Sequence, residues 1–330
     1  MRRVLASLLA VLFFAMPVIS AIRLMMIREE QDANVAQEIG MPFVWPAEKS
    51  LSDPKVALSI FRTIVTDQQV NILRASSLRL PSGRNQINTY VMMSKGTTLF
   101  RDYSLHSGRW ITAEESQNRN IAVSTLSAQA LGVDEVVGVP NVVGDRYDLT
   151  ISSLQYAFTS LTTSGTYVLE THDVGQFHNA MKYLLQLSLE YEPSLTIEQF
   201  EYKKTQQKEI NYGIVIITAV CIIAALCALV LSIILVARYG KGIGVMRLLG
   251  YSKRKVWWQI NGRYISLFSL ISILIGAIIL AVLHNVDRRF VFHLYGSMIV
   301  SLLFCITAAY CTSMIIISRI KISDLIKGYL

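Results

Sequence analysis

Four stretches of this chain are too apolar to remain in water. Residues 4–22 follow Arg2 and Arg3 and are interrupted only by Pro17, while residues 213–237, 265–283 and 298–317 contain no Asp, Glu, Lys, Arg or His. At about 1.5 Å per residue, a helix of roughly 20 residues crosses a hydrocarbon core about 30 Å thick. A helix also satisfies every backbone polar group internally, which lipid demands. The expected fold is therefore an α-helical membrane protein with four transmembrane helices and an extracytoplasmic mixed α/β domain between helices 1 and 2. Cleavage after Val18-Ile19-Ser20 is the rival reading of the first stretch. Its continuation past Arg23 as Leu24-Met25-Met26-Ile27 favours an uncleaved anchor.

Charge orders these segments. Residues 28–211 hold 16 Lys/Arg against 21 Asp/Glu, whereas residues 212–330 hold 12 Lys/Arg against only Asp287 and Asp324. Basicity thus belongs to the membrane-flanking parts, and nucleic-acid binding is not needed to explain it. Residues 238–264 carry seven basic side chains (Arg238, Lys241, Arg247, Lys253, Arg254, Lys255, Arg263) and no acid, which places that loop in the cytoplasm by the positive-inside rule. Residues 284–297 are then outside. The tail from Ser318 is inside, and Arg2 and Arg3 agree with this orientation.

Between the first two spans the pattern alternates. Residues 54–69 have a helical apolar stripe, 70–80 and 86–94 read as strands around the turn Pro81-Ser82-Gly83, and 120–124 is a further strand. A short helix over 125–131 closes at Gly132. Strands over 147–153 and 166–169 precede a helix over 174–191, with Val174, Phe177, Met181, Leu184 and Leu185 on one face and Ser188 interrupting it. The expected organisation is an anchor over 1–27, an α/β domain over 28–197, a polar stalk over 198–212, and a three-helix permease domain over 213–330 with its loop at 238–264.

The sequence carries none of the usual signatures of chemistry. There is no GxxxxGK[ST], GxSxG, HExxH or CxxC, and His106, His172, His178, His284 and His293 lack ligand spacing. Cys221, Cys227, Cys305 and Cys311 all lie in apolar runs, so disulfides in the α/β domain are excluded and each thiol reads as a small hydrophobe. Spans without ionisable residues lack the marks of a proton relay or ion path. No enzyme, no cofactor and no metal is expected.

The cytoplasmic loop reads Ile243-Gly244-Val245-Met246-Arg247-Leu248-Leu249-Gly250-Tyr251-Ser252-Lys253-Arg254-Lys255-Val256. It resembles the segment after the second span in FtsX/MacB-type permeases of ABC transporters. A second patch is similar to the outer core of that family: Ser107-Gly108-Arg109-Trp110, Ala113-Glu114-Glu115, Ile121-Ala122-Val123-Ser124 and 128–132. Two positions depart from the family: Gly242 stands where Glu is common, and Asn261, Gly262 and Arg263 stand near a second missing acid. A divergent branch, the bacteriocin-associated membrane proteins, shares this outline.

The resemblance implies a membrane subunit of an ABC-type export or mechanotransmission complex that hydrolyses no ATP itself. Its implied partners are a separate ATPase, a second identical or related permease, a further extracytoplasmic protein and membrane lipids. The expected ATPase-coupling residues are Ile243, Met246, Arg247, Leu249 and Gly250, with Ile243, Met246 and Leu249 forming one apolar face. Ala225 and Gly276 are expected to pack helices, in a dimer above all. The alternative is an ATPase-independent, membrane-anchored sensor or immunity protein.

Overall fold

An eight-stranded mixed sheet and a set of long apolar helices make up two separate units of the chain. The computed structural model describes residues 2–80, 83–203 and 211–319. One unit holds the described residues from 28 to 203, and the other those up to Ile27 together with those from Asn211 onward.

In the sheet unit the strands are β1 (Met41–Trp45), β2 (Ile72–Arg79), β3 (Asn85–Met92), β4 (Leu105–Gly108), β5 (Ile121–Ser124), β6 (Glu135–Pro140), β7 (Asp148–Ser153) and β8 (Gly165–Leu169). They lie in the order β1-β8-β2-β3-β7-β5-β6-β4. The pairs β3–β7 and β5–β6 are parallel. Strand alternation sends Ile72, Tyr90 and Tyr167 to one face and Leu73, Val91 and Val168 to the other, and both faces are buried.

The first face is covered by two helices, Pro54–Asp67 and Val174–Leu189. Trp45, Phe61, Tyr167 and Phe200 form an aromatic nest there, with Trp45 and Phe61 centroids 4.7 Å apart. Asp53 caps the first helix by accepting from the Lys55 amide at 2.9 Å, with Pro54 at the position where a missing N–H costs nothing. In the second, Val174 is exposed, while Ser188 is fully buried and donates to the Leu184 carbonyl at 2.8 Å. Ser188 therefore continues the buried stripe that its polarity was expected to break.

The opposite face receives Val35 from the end of helix α1 (Arg2–Glu38). That helix does not stop where the apolar run ends. Arg28 donates to the Asp102 carbonyl at 3.1 Å, Glu29 accepts from Arg146 at 2.7 Å, and Asp32 accepts from the Tyr147 hydroxyl. Burial, reinforced by the Asp32 charge, pushes both the Tyr147 and Tyr103 hydroxyls well above the usual phenol range.

The stretch expected to begin a polar stalk belongs instead to the sheet unit. Ile197–Phe200 is a 3-10 turn that drives Phe200 into the core, and Glu201 bridges to Phe43 of β1. Residues 204–210 lie outside the described residues, as do Pro81 and Ser82 of the expected turn. The next helix starts afresh at Tyr212, capped by the Asn211 side chain, which accepts from the Gly213 amide at 3.1 Å.

Four helices among the described residues are long and apolar enough to cross a membrane. After α1 come α2 (Tyr212–Ala237), then α3 (Gly240–Leu248), α4 (Lys253–Trp257), a π-turn (Trp258–Gly262), α5 (Arg263–Val282) and α6 (Arg288–Arg319). One buried cluster draws Leu9 and Phe13, Ala228, Ile265 and Phe268, and Leu302 and Ala309 from the four spans together. Ser272 adds a hydrogen bond to the Phe13 carbonyl at 2.7 Å. The third span begins earlier than its uncharged run: α4, the π-turn and α5 form one helical rod from Lys253, because Val256 and Ile260 are fully buried below the basic residues.

Candidate functional site

The loop between the second and third spans builds its site on the short helix α3. The helix ends in a Schellman motif: the Tyr251 amide donates to the Met246 carbonyl at 3.0 Å and the Gly250 amide to the Arg247 carbonyl at 3.1 Å. Gly250 has φ +81°, a conformation that L side chains rarely adopt. Ser252 then opens α4 by accepting from the Lys255 amide at 3.4 Å. The loop is thus two capped helices joined by a fixed turn.

Helix α3 has two apolar faces. Ile243 is fully buried with Val236 of α2, Val256 of α4, Ile260 of the π-turn and Ile317 of α6, and Met246 packs partly against them. Val245, Leu248 and Leu249 lie on the other face at 57%, 61% and 71% exposure. The expected single face of Ile243, Met246 and Leu249 is therefore divided: the first two anchor the helix and only Leu249 is displayed. A spacing of i, i+3 and i+4 puts Val245, Leu248 and Leu249 side by side. Arg247 is half-buried between the faces. Val245 and Leu248 were not among the expected coupling residues, because both faces are apolar and periodicity alone does not say which one points inward.

The two positions where the family would place an acid are filled differently. Gly242 is close to the Tyr239 ring, at 3.3 Å from an added Cβ. Asn261 is fully buried in the π-turn and donates to Ser232 of α2, and Gly262 has no room for a side chain beneath Trp257 and Trp258.

The packing residues fall unequally. An added Cβ on Gly276 would stand 3.1 Å from the Met298 methyl, so this glycine seats α5 against α6 of the same chain. Ala225 is half-buried on α2 beside the buried Ala224 and Ala228.

In the sheet unit, the Gly108-Arg109-Trp110 patch has a definite structural role. Gly108 has φ +79°, and a Cβ there would meet the Val137 carbonyl at 2.3 Å. Arg109 grips Glu115 with two hydrogen bonds of 2.7 and 2.5 Å, and Glu115 also closes a capping box with Thr112. These donors lower the Glu115 carboxyl to about 2, the Arg109 guanidinium foremost. Trp110 stacks on Phe100 at 4.5 Å. The histidines assemble nothing, and no group able to hold a metal occurs among the described residues.

Residues 214–325 match the family model described as FtsX-like permease C-terminal. The stretch holding the last three spans resembles an FtsX-like permease. That match takes in α2 from Ile214, the α3 helix and both later spans, and it supports the resemblance to FtsX/MacB-type permeases. A multi-pass membrane subunit of ABC-transporter type is the coarse function that goes with it. No curated protein matches the chain.

Proposed function

We propose that this chain is the membrane subunit of an ABC-type export or mechanotransmission complex, in which a separate cytoplasmic ATPase drives motion of the sheet domain across the membrane. The observation that carries the reading is the displayed face of α3, within the FtsX-like region. Three neighbouring aliphatic side chains stand in solvent on a helix capped at its end and pinned by Ile243. Burying such a side chain is worth about 1.5–3 kcal/mol, so a cleft on the ATPase would hold this face mainly by aliphatic area. Arg247 and Lys241 would meet acids at the cleft rim, where exposed pairs add about 0–1 kcal/mol each. Gly242, lacking the family carboxylate, contributes no charge.

Force applied to α3 has a direct route into the bundle. Ile243 shares one buried cluster with side chains of α2, α4, the π-turn and α6, so a displaced helix would carry the second, third and fourth spans with it. The orientation follows from the basic loop: α3 and the tail in the cytoplasm, the sheet domain outside the bacterial cell membrane. The working unit is a pair of permeases, identical or related, meeting along the Ala225 side of α2, since Met298 already fills the Gly276 notch.

Affinity purification of the full chain in mild detergent tests the reading. An ATP-binding subunit should copurify in stoichiometric amount. A chain that performs its cellular role with no nucleotide-binding partner would instead be the sensor or immunity protein of the alternative reading.

A further inference from the structure

We propose that the π-turn and the start of α5 form a binding site for one anionic phospholipid. A groove of about 590 Å³ runs along this rod, and Trp258, Gln259, Arg263, Tyr264, Leu267 and Leu270 line it. The inference rests on the membrane reading of the helices and does not depend on an ATPase partner.

The lining is ordered like a lipid. Gln259 and Arg263 supply donors at one end, Trp258 and Tyr264 sit with them as aromatic side chains do at a membrane interface, and Leu267 and Leu270 follow toward the hydrocarbon. The distance from Gln259 to Leu270 along the rod is about 16 Å at 1.5 Å per residue. This is half of a ~30 Å hydrocarbon core, the depth of one leaflet. A π-turn, which closes i→i+5 hydrogen bonds, shifts the faces of the helix and brings Gln259 and Tyr264 onto one side of it.

Charge selects the headgroup. Arg263 is exposed and has no carboxylate partner among the described residues. The same rod begins with Lys253, Arg254 and Lys255 in its first turn, where the positive end of the helix dipole repels cations. Such an arrangement is stabilised by anions at that level, and the acid-free loop provides none. A phosphate monoanion with no compensating amine, as in phosphatidylglycerol, supplies the missing charge and offers oxygens to the Arg263 fork. A zwitterionic lipid brings its own cation and gains less.

The test is native mass spectrometry of the full chain from membranes of equimolar phosphatidylglycerol and phosphatidylcholine. Wild type should keep one phosphatidylglycerol per chain in preference to phosphatidylcholine. Arg263→Gln should lower that retention about tenfold, as expected for one lost charged hydrogen bond. Arg288→Gln, equally basic and at the start of α6 off the groove, should keep it, and Leu267→Trp, which fills the groove, should lose it with all charges intact. Melting temperatures equal to wild type show that the variants are folded. Unchanged retention in Arg263→Gln, equal loss in Arg288→Gln, or no preference for phosphatidylglycerol in wild type would each overturn the site.

Discussion

The sheet unit and the membrane bundle solve the problem of buried polarity in opposite ways. The sheet unit buries real charge: Asp32 has Arg28 and the Tyr147 hydroxyl, Asp148 has Arg84 at 3.1 Å, and Arg74 donates to the Thr162 and Ser164 carbonyls. Among the described residues the bundle buries no charge, only short polar side chains such as Ser232, Asn261, Ser272 and Ser313. Two of these are incompletely paired, the Asn261 side-chain oxygen and the Ser313 hydroxyl, as are Asn120, Asn141, Ser152 and Ser153 in the sheet unit. Many specific bonds hold one arrangement of the sheet unit. The bundle is held mainly by aliphatic contact with few directional ties.

Substitutions should expose that contrast, beginning in the sheet unit. Gly108→Val combines a left-handed backbone with a collision against the Val137 carbonyl. Strain of about 1–3 kcal/mol and overpacking of about 1–3 kcal/mol should lower sheet-domain stability by several degrees or abolish its folding, as read by a denaturation curve. Gly276→Leu must move the flexible Met298 side chain and crowd the Tyr295 ring, both side chains rather than backbone, so about 1–3 kcal/mol is expected, read as lower thermal stability of the monomer in detergent. If Gly276→Leu proves as damaging as Gly108→Val, the bundle is packed as specifically as the sheet.

Ser232→Ala leaves the buried Asn261 amide unpaired, at a cost of about 0.6–2 kcal/mol in a membrane. The double variant Ser232→Ala with Asn261→Leu should recover part of this loss. A double-mutant cycle in detergent reads the coupling. The smallest effect belongs to Glu115. Its carboxyl pKa is held at about 2 against an ordinary 4.5, so its stabilisation is full above pH 4.5 and is lost as pH falls toward 2. Glu115→Gln should flatten the acid side of the sheet domain's pH–stability profile and change the neutral value by under about 1 kcal/mol, the scale of an exposed pair.

The contrast also decides what could be read in advance. The four spans were legible because a run of uncharged residues has one outcome in lipid, and Gly132 and Gly250 were legible as helix stops because both need positive φ, +72° and +81°. Three strands were not. β1 contains Pro42, β4 is only four residues long, and β6 contains Gly138 and ends on Pro140, so each carries the marks of a turn. Their pairing comes from neighbouring strands, which local pattern does not contain. At the site, the α3 helix and its stop were legible, but the inward Ile243 and Met246 were grouped with the outward Leu249 as one face. The burial of Ile243 depends on Val256, Ile260 and Ile317, all distant in sequence or beyond the turn. The π-turn was equally hidden, although two tryptophans beside a basic run and a glycine mark the place.

The most direct test of the account is a pair of substitutions on opposite faces of α3. Leu248→Asp with Leu249→Asp alters only exposed side chains, so the chain should insert and fold normally. It should lose its ATPase nonetheless, because removing two aliphatic contacts of about 1.5–3 kcal/mol each weakens binding more than a hundredfold. Arg247→Ala should retain the partner. Copurification of a full complement of ATPase with the double Asp variant would contradict the account and leave α3 as a membrane-edge helix with no coupling role.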